Sequence, residues 1–97
     1  MTAQHYGRDG LMAISAFRYC LGRRTYIVGD CADWLCEQWP SLPRNVQSVI
    51  ERDLRMAFAR DDEARAAGHE FKPLGHDCDR REWQRVLDVI ESHKGEE

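Results

Sequence analysis

The sequence predicts a single all-α domain, a small compact bundle of about four helices. Three observations carry that expectation. Apolar residues recur at intervals of three and four in separate stretches. Glycine, proline and capping residues fall between those stretches. The one run with strand character, Thr25-Tyr26-Ile27-Val28, has no second run to pair with. The expected helices cover about 8–21, 30–39, 42–67 and 80–92, with an ordered loop over 68–79. Residues 1–97 form one domain in this reading, and 1–7 and 93–97 are expected to fray at its ends.

The first helix is read from Leu11, Ile14, Phe17 and Leu21, one face of a 3.6-residue repeat, with Gly22 as its stop. Thr25 to Val28 then reads as a connecting loop. Gly29-Asp30 reads as loop end and N-cap of a short second helix, with Asp33 in its first turn and Pro40 ending it. Cys31, Trp34 and Leu35 share its expected inner face. Ser41 is the expected N-cap of the third helix, with Pro43 in the first turn, where a missing N–H costs little.

Val46, Val49, Ile50, Leu54, Ala57 and Phe58 make a long apolar stripe on that third helix. Glu51–Arg55 and Asp61–Arg65 are i,i+4 pairs worth a few tenths of a kcal/mol each. The run Arg60 to Arg65 is solvated in character, so the last turns are expected to project, with Asp61-Asp62-Glu63 on the surface. Within the following loop, Phe71 and Leu74 are the expected anchors into the core. Asp79-Arg80-Arg81-Glu82 matches a capping box at the start of the last helix. Trp83, Val86, Leu87 and Ile90 give that helix its apolar face.

Composition narrows the function classes. The chain has 97 residues, 14 basic against 17 acidic, and a net charge of −3. That balance lacks the basic excess of a general nucleic-acid binder, and it is too mild for imitation of DNA by charge alone. No apolar run approaches the roughly 20 residues needed to span a bilayer, and residues 1–10 lack a signal-peptide pattern. A cytoplasmic location is therefore expected, with Cys20, Cys31, Cys36 and Cys78 as reduced thiols.

Candidate sites are few. Cys31 and Cys36, with His76 and Cys78, suggest a zinc site, but residues five apart on a helix point about 140° away from each other. Cys20 and Cys31 read better as small buried side chains, and Cys36 as a partly exposed thiol. Cys78 beside His76 suggests a nucleophile, yet the flanking aspartates oppose thiolate formation, and a loop with a helix cap explains the same residues. No catalytic residue, cofactor or metal is expected. Gly22 to Tyr26 is the most suggestive group, because Arg23 and Arg24 supply fork-shaped donors beside the aromatic ring of Tyr26. Pairing of Arg23 and Arg24 with Asp30 or Asp33 is the competing structural role. Trp39, beside Pro40 at a helix end, is the tryptophan expected to be partly exposed as a contact residue. Arg23, Arg24, Tyr26 and Trp39 are thus the candidate partner-binding residues.

The order FRYCLGRRTYIVGDCADWL, WPSL, IERDL and PLGHDCDRREW resembles a family of small proteins encoded by phages and prophages, over Tyr6 to Ile90. The resemblance supplies a genomic setting and no activity. It implies a non-enzymatic inhibitor of a bacterial defence system, anti-CRISPR-like, that binds and occludes a host protein complex such as a CRISPR effector or nuclease. Two other classes stand beside it. One is a nucleic-acid or nucleotide-binding module using Arg23, Arg24 and Tyr26, and the other is an accessory protein of phage assembly or replication. The apolar helix faces also allow a dimer, and no membrane partner is expected.

Overall fold

The protein, described here by a computed structural model over residues 6–21 and 27–95, is an all-α bundle. Its elements are α1 (Gly7–Leu21), α2 (Ile27–Gln38), a 3₁₀ turn (Trp39–Ser41), α3 (Arg44–Ala67) and α4 (Asp77–Gly95). Among the described residues there is no strand. Each helix differs from its sequence expectation in a way that packing explains.

On α1 the buried face is Gly10, Ala13, Ile14, Phe17 and Cys20. The expected Leu11 instead faces outward and Leu21 is only half-buried. Close approach decides this register. A Cβ built at Gly10 would lie 2.7 Å from Val46 Cγ2, so α1 crosses α3 where only a hydrogen atom fits between them. Small residues mark that crossing, and a search for large apolar side chains passes over them.

α2 begins at Ile27, three residues before the expected cap, so Gly29 and Asp30 lie within its first turn. Val28 is buried in the core, and tertiary burial overrides the strand propensity of the Ile27-Val28 pair. Thr25 and Tyr26 lie outside the described residues. α2 then buries Val28, Ala32 and Leu35.

Pro40 breaks the helix as expected, and the chain tightens into the 3₁₀ turn. The turn carries Trp39 inward, and Gln47 Nε2 donates to the Trp39 carbonyl at 2.7 Å. Because Ser41 belongs to this turn, the residue before α3 is Pro43 rather than Ser41. Its carbonyl accepts the first helical bond, from Gln47 N–H at 2.9 Å.

All six residues of the expected α3 stripe are buried. The helix ends on Gly68 at φ 73°, with Gly68 N–H donating to Arg65 O and His69 N–H to Ala64 O. That pair of bonds is a Schellman stop, which favours a glycine in the left-handed region. In the following loop Leu74 is buried but Phe71 is exposed, so one of the two expected anchors faces outward.

α4 starts at Asp77, ahead of the expected start at residue 80. His76 precedes it, and His76 N–H donates to Asp79 Oδ2 at 3.1 Å. Asp79 therefore acts from the third helical position, reaching back as the acidic member of a capping box does. Glu82 is freed from the expected box and accepts from Arg85. At the other end α4 continues through His93 and Lys94 to Gly95 instead of fraying. Lys94 Nζ reaches Glu51 Oε2 at 2.6 Å and ties that end to α3.

The core closes around Phe17 and Trp83, whose rings meet edge-to-face with centroids 5.7 Å apart. That geometry suits the aromatic quadrupole and adds to the area both rings bury.

The crossing at Gly10 yields a test. Gly10→Ala gains about 1 kcal/mol of helix propensity, but overpacking against the buried Val46 costs about 1–3 kcal/mol. Equilibrium denaturation should show net destabilisation, and relief by Val46→Ala in the double variant. A single variant more stable than the parent would overturn this account of the α1 register.

Candidate protein-binding surface

The four residues singled out from sequence fall in two places. Arg23, Arg24 and Tyr26 lie outside the described residues. Trp39 is 2% exposed and belongs to the core. Its expected exposure is corrected by the 3₁₀ turn, which rotates the ring inward after α2 ends. Trp34, expected to be inside, is the exposed tryptophan of the described residues. Asp33 accepts from Arg85 Nη2 of α4 at 2.5 Å, and its expected pairing with Arg23 or Arg24 lies outside the described residues.

The acidic run on α3 is also corrected. Asp61 is fully buried, while Asp62 and Glu63 are exposed as expected. Asp61 lies on the same stripe as Leu54 and Phe58, seven and three residues before it, so the core face carries it inward. Its Oδ1 accepts from Leu74 N–H at 3.1 Å. Its Oδ2 accepts from Arg65 Nε at 2.6 Å and from Arg80 Nη1. Arg80 also reaches Asp62 at 2.6 Å and lies over the Phe58 ring, 4.8 Å from its centroid. Arg65 reaches Asp77 Oδ1 at 2.7 Å and the Gly75 carbonyl at 3.3 Å. Burial by itself pushes the Asp61 carboxyl up, but the bonds from Arg65, Leu74 N–H and Arg80 outweigh it and hold it below the usual value. The cluster is a structural latch among α3, the loop and α4. Its carboxylate is enclosed by donors from this chain and has no geometry for proton transfer to a substrate.

The thiols are similarly placed for structure. Cys20 and Cys31 are free thiols; Cys20 is buried as expected and Cys31 only half-buried, and burial, with Cys20 as neighbour, pushes the Cys31 thiol up to about 12. Cys36 is raised by burial, while Cys78 is exposed. Among the described residues no three His, Cys, Asp or Glu side chains converge in a metal-binding group.

One outward set of side chains on α1 and α2 is apolar. Leu11 (54% exposed), Met12 (64%) and Tyr19 (57%) point outward from α1, and Trp34 (40%) from α2. Together they leave on the order of 500 Å² exposed, given full areas of about 150–250 Å² for large side chains. That is within the size of the largest, often functional, patch of a monomer. Between α1, the end of α2 and the start of α3 the surface sinks into a groove of about 880 Å³, walled by Met12, Ala16, Trp34, Leu42 and Pro43.

Several charged side chains engage one another across elements: Arg18–Asp53, Arg55–Glu91, Lys94–Glu51 and Arg85–Asp33 join neighbouring helices. Asp30 and Glu37 lie four residues before and three after Trp34, on the same outer face of α2. Both are exposed and make no ion pair among the described residues. Sequence reasoning missed Met12, Tyr19 and Trp34 as surface groups. The available signal was α1 itself, whose apolar residues exceed one face while only Arg8, Asp9 and Arg18 are charged. No helix among the described residues is long and apolar enough to cross a membrane. Comparison with protein-family models, with curated proteins and with solved structures finds no match.

Two outcomes test the interior of this description. Asp61→Asn removes one partner of a buried charge cluster and should cost about 3 kcal/mol at pH 7, the low end for such deletions, since Arg65 and Arg80 retain solvent access. Because the folded carboxyl titrates below its unfolded value of about 3.9, the native contribution is complete above about pH 4. It is lost as pH falls through the lowered folded value, so the acid-unfolding limb should flatten in the variant. An unchanged acid limb would remove Asp61 from that role. In native alkylation mapped by mass spectrometry at pH 8, Cys78 should label first. Cys31 should label far more slowly than Cys78; equally fast labelling of Cys31 would contradict its half-buried, protonated state.

Proposed function

We propose that this chain is a phage-encoded inhibitor of a bacterial defence system, acting by binding and occluding a host protein complex rather than by catalysis. The observation that carries the reading is the outward apolar face of Leu11, Met12, Tyr19 and Trp34 with its adjoining groove. Large side chains left outside the core of a small domain cost solubility, and such patches mark protein contacts. Aromatic and methionine side chains are enriched in the centres of such contacts. The absence of a basic excess and the internal pairing of Arg55, Arg65, Arg80 and Arg85 favour a protein partner over nucleic acid. The resemblance to phage and prophage proteins supplies the setting, in which occlusion requires only affinity and bulk.

Expression of the chain in bacteria carrying defined defence systems should raise phage plating by orders of magnitude on hosts with the targeted system. Met12→Glu should abolish the effect while leaving the circular dichroism spectrum and Tm unchanged, because Met12 is a surface group. No rise in plating across a panel that includes CRISPR and restriction systems would overturn the reading. A rise insensitive to Met12→Glu would move the contact to another face.

A further inference from the structure

The molecule carries a hollow at one end and an exposed aromatic ring at the other. The groove walled by Met12, Ala16, Trp34 and Pro43 adjoins the residues that open α3. Phe71, 66% exposed, stands on the loop that follows the last residue of α3. With 24 residues at 1.5 Å each, α3 separates the two by about 36 Å, comparable with the 40 Å long dimension of the protein. We propose that ring and groove fit each other between copies of this chain. The Phe71 loop of one copy enters the groove of the next, and the chain assembles head to tail.

Shape and charge both select a second copy. The loop is anchored on either side of Phe71, by the Gly68 stop before it and by the buried Leu74 after it, whose N–H is held by Asp61. The groove offers the Trp34 ring, the Met12 thioether and the small Ala16. Edge-to-face and sulfur contacts of that kind suit an incoming aromatic ring. The hollow beside Phe71 is lined by one base and one acid, Arg60 and Glu63, together with His69. The groove is also lined by one base and one acid, Arg8 and Asp9. Arg8, Asp9, Arg60 and Glu63 are exposed, and none makes an ion pair among the described residues. In the assembly Arg60 meets Asp9 and Glu63 meets Arg8 at the rim of the apolar contact. Two chains of net charge −3 repel each other, and these two surfaces, each balanced in sign, bring them together where that repulsion is small.

Area sets the strength. Phe71 exposes about 130 Å², from a full area of about 200 Å² for a large aromatic, whereas a stable dimer buries about 800 Å² per partner. The contact is therefore weak, reversible and dependent on concentration. Because ring and groove are different surfaces, the interface is heterologous, and every open assembly keeps one unfilled groove at its end. The inference goes beyond the host contact proposed above and leaves a groove free for it.

Sedimentation velocity of the purified full chain tests the proposal. The weight-average mass should rise with concentration and pass that of a dimer. Met12→Glu and Phe71→Glu change surface groups, and each should give a monomer with the parent circular dichroism spectrum. Mixed together, the two variants should form a 1:1 dimer and nothing larger, since one keeps the ring and the other keeps the groove. Arg8→Glu with Asp9→Arg should weaken association by about tenfold, and adding Arg60→Glu with Glu63→Arg should restore it. A parent that stays monomeric at every concentration would overturn the proposal. So would a closed dimer that the mixed variants fail to form, or association unaffected by Phe71→Glu. The phage-plating assay reads a different property, and Phe71→Glu, with its groove intact, should still protect. Assembly without protection would sink only the inhibitor role. Protection by a chain that never associates would sink only this inference.

Discussion

A buried carboxylate is costly unless its acceptor sites are filled, and that constraint at Asp61 organises one half of this molecule. Three donors fill them: Arg65 from its own helix, the Leu74 N–H from the loop, and Arg80 from α4. Each comes from a different part of the chain. Satisfying the charge therefore fixes the end of α3, the path of the loop and the start of α4 together. The consequences extend through α4. Once its first turns are held, Trp83 meets Phe17 of α1 edge-to-face, and Lys94 and Glu51 tie its last turn to α3. Replacing such a cluster with apolar residues is often neutral for stability, so its role here is to specify one arrangement of loop and helix.

The other half of the molecule is governed by close packing. α1 meets α3 at Gly10 with no room for a methyl group, and this sets the rotation of α1. Cys20, Phe17 and Ala13 turn inward, and Leu11, Met12 and Tyr19 are left outside. The exposed apolar face thus follows from the position of one glycine. On this half Asp30 and Glu37 make no ion pair among the described residues, while Arg55–Glu91 and Lys94–Glu51 join α3 to α4. Surface pairs of that type contribute little stability individually. Their effect is to tie α3 and α4 together at the surface.

Where sequence reading succeeded and where it failed follows the range of the forces involved. The α3 stripe, the glycine stop at Gly68 and the break at Pro40 were legible because each depends on residues within one or two turns. The placement of Trp34 and Trp39 was not. Whether a side chain at a helix end points in or out depends on the 3₁₀ turn that follows, and on the Gln47 bond to the Trp39 carbonyl from another helix. Asp61 was read as solvated because its neighbours in sequence are charged. Its burial depends on Arg80, nineteen residues away, and on Leu74, thirteen away. The candidate surface was least legible of all, since an outward Met12 is identified only after the inner face of α1 is known.

The sequence by itself determined an all-α chain, the number of helices and most of their core faces. Helical periodicity, glycine and proline are local signals and require no knowledge of neighbours. Tertiary structure decided the rotation of α1, the early starts of α2 and α4, and the burial of Asp61 in place of its exposure. It also decided which tryptophan faces solvent. Each of these rests on contacts between residues distant in sequence, where close packing at Gly10 and charge satisfaction at Asp61 outweigh local preference.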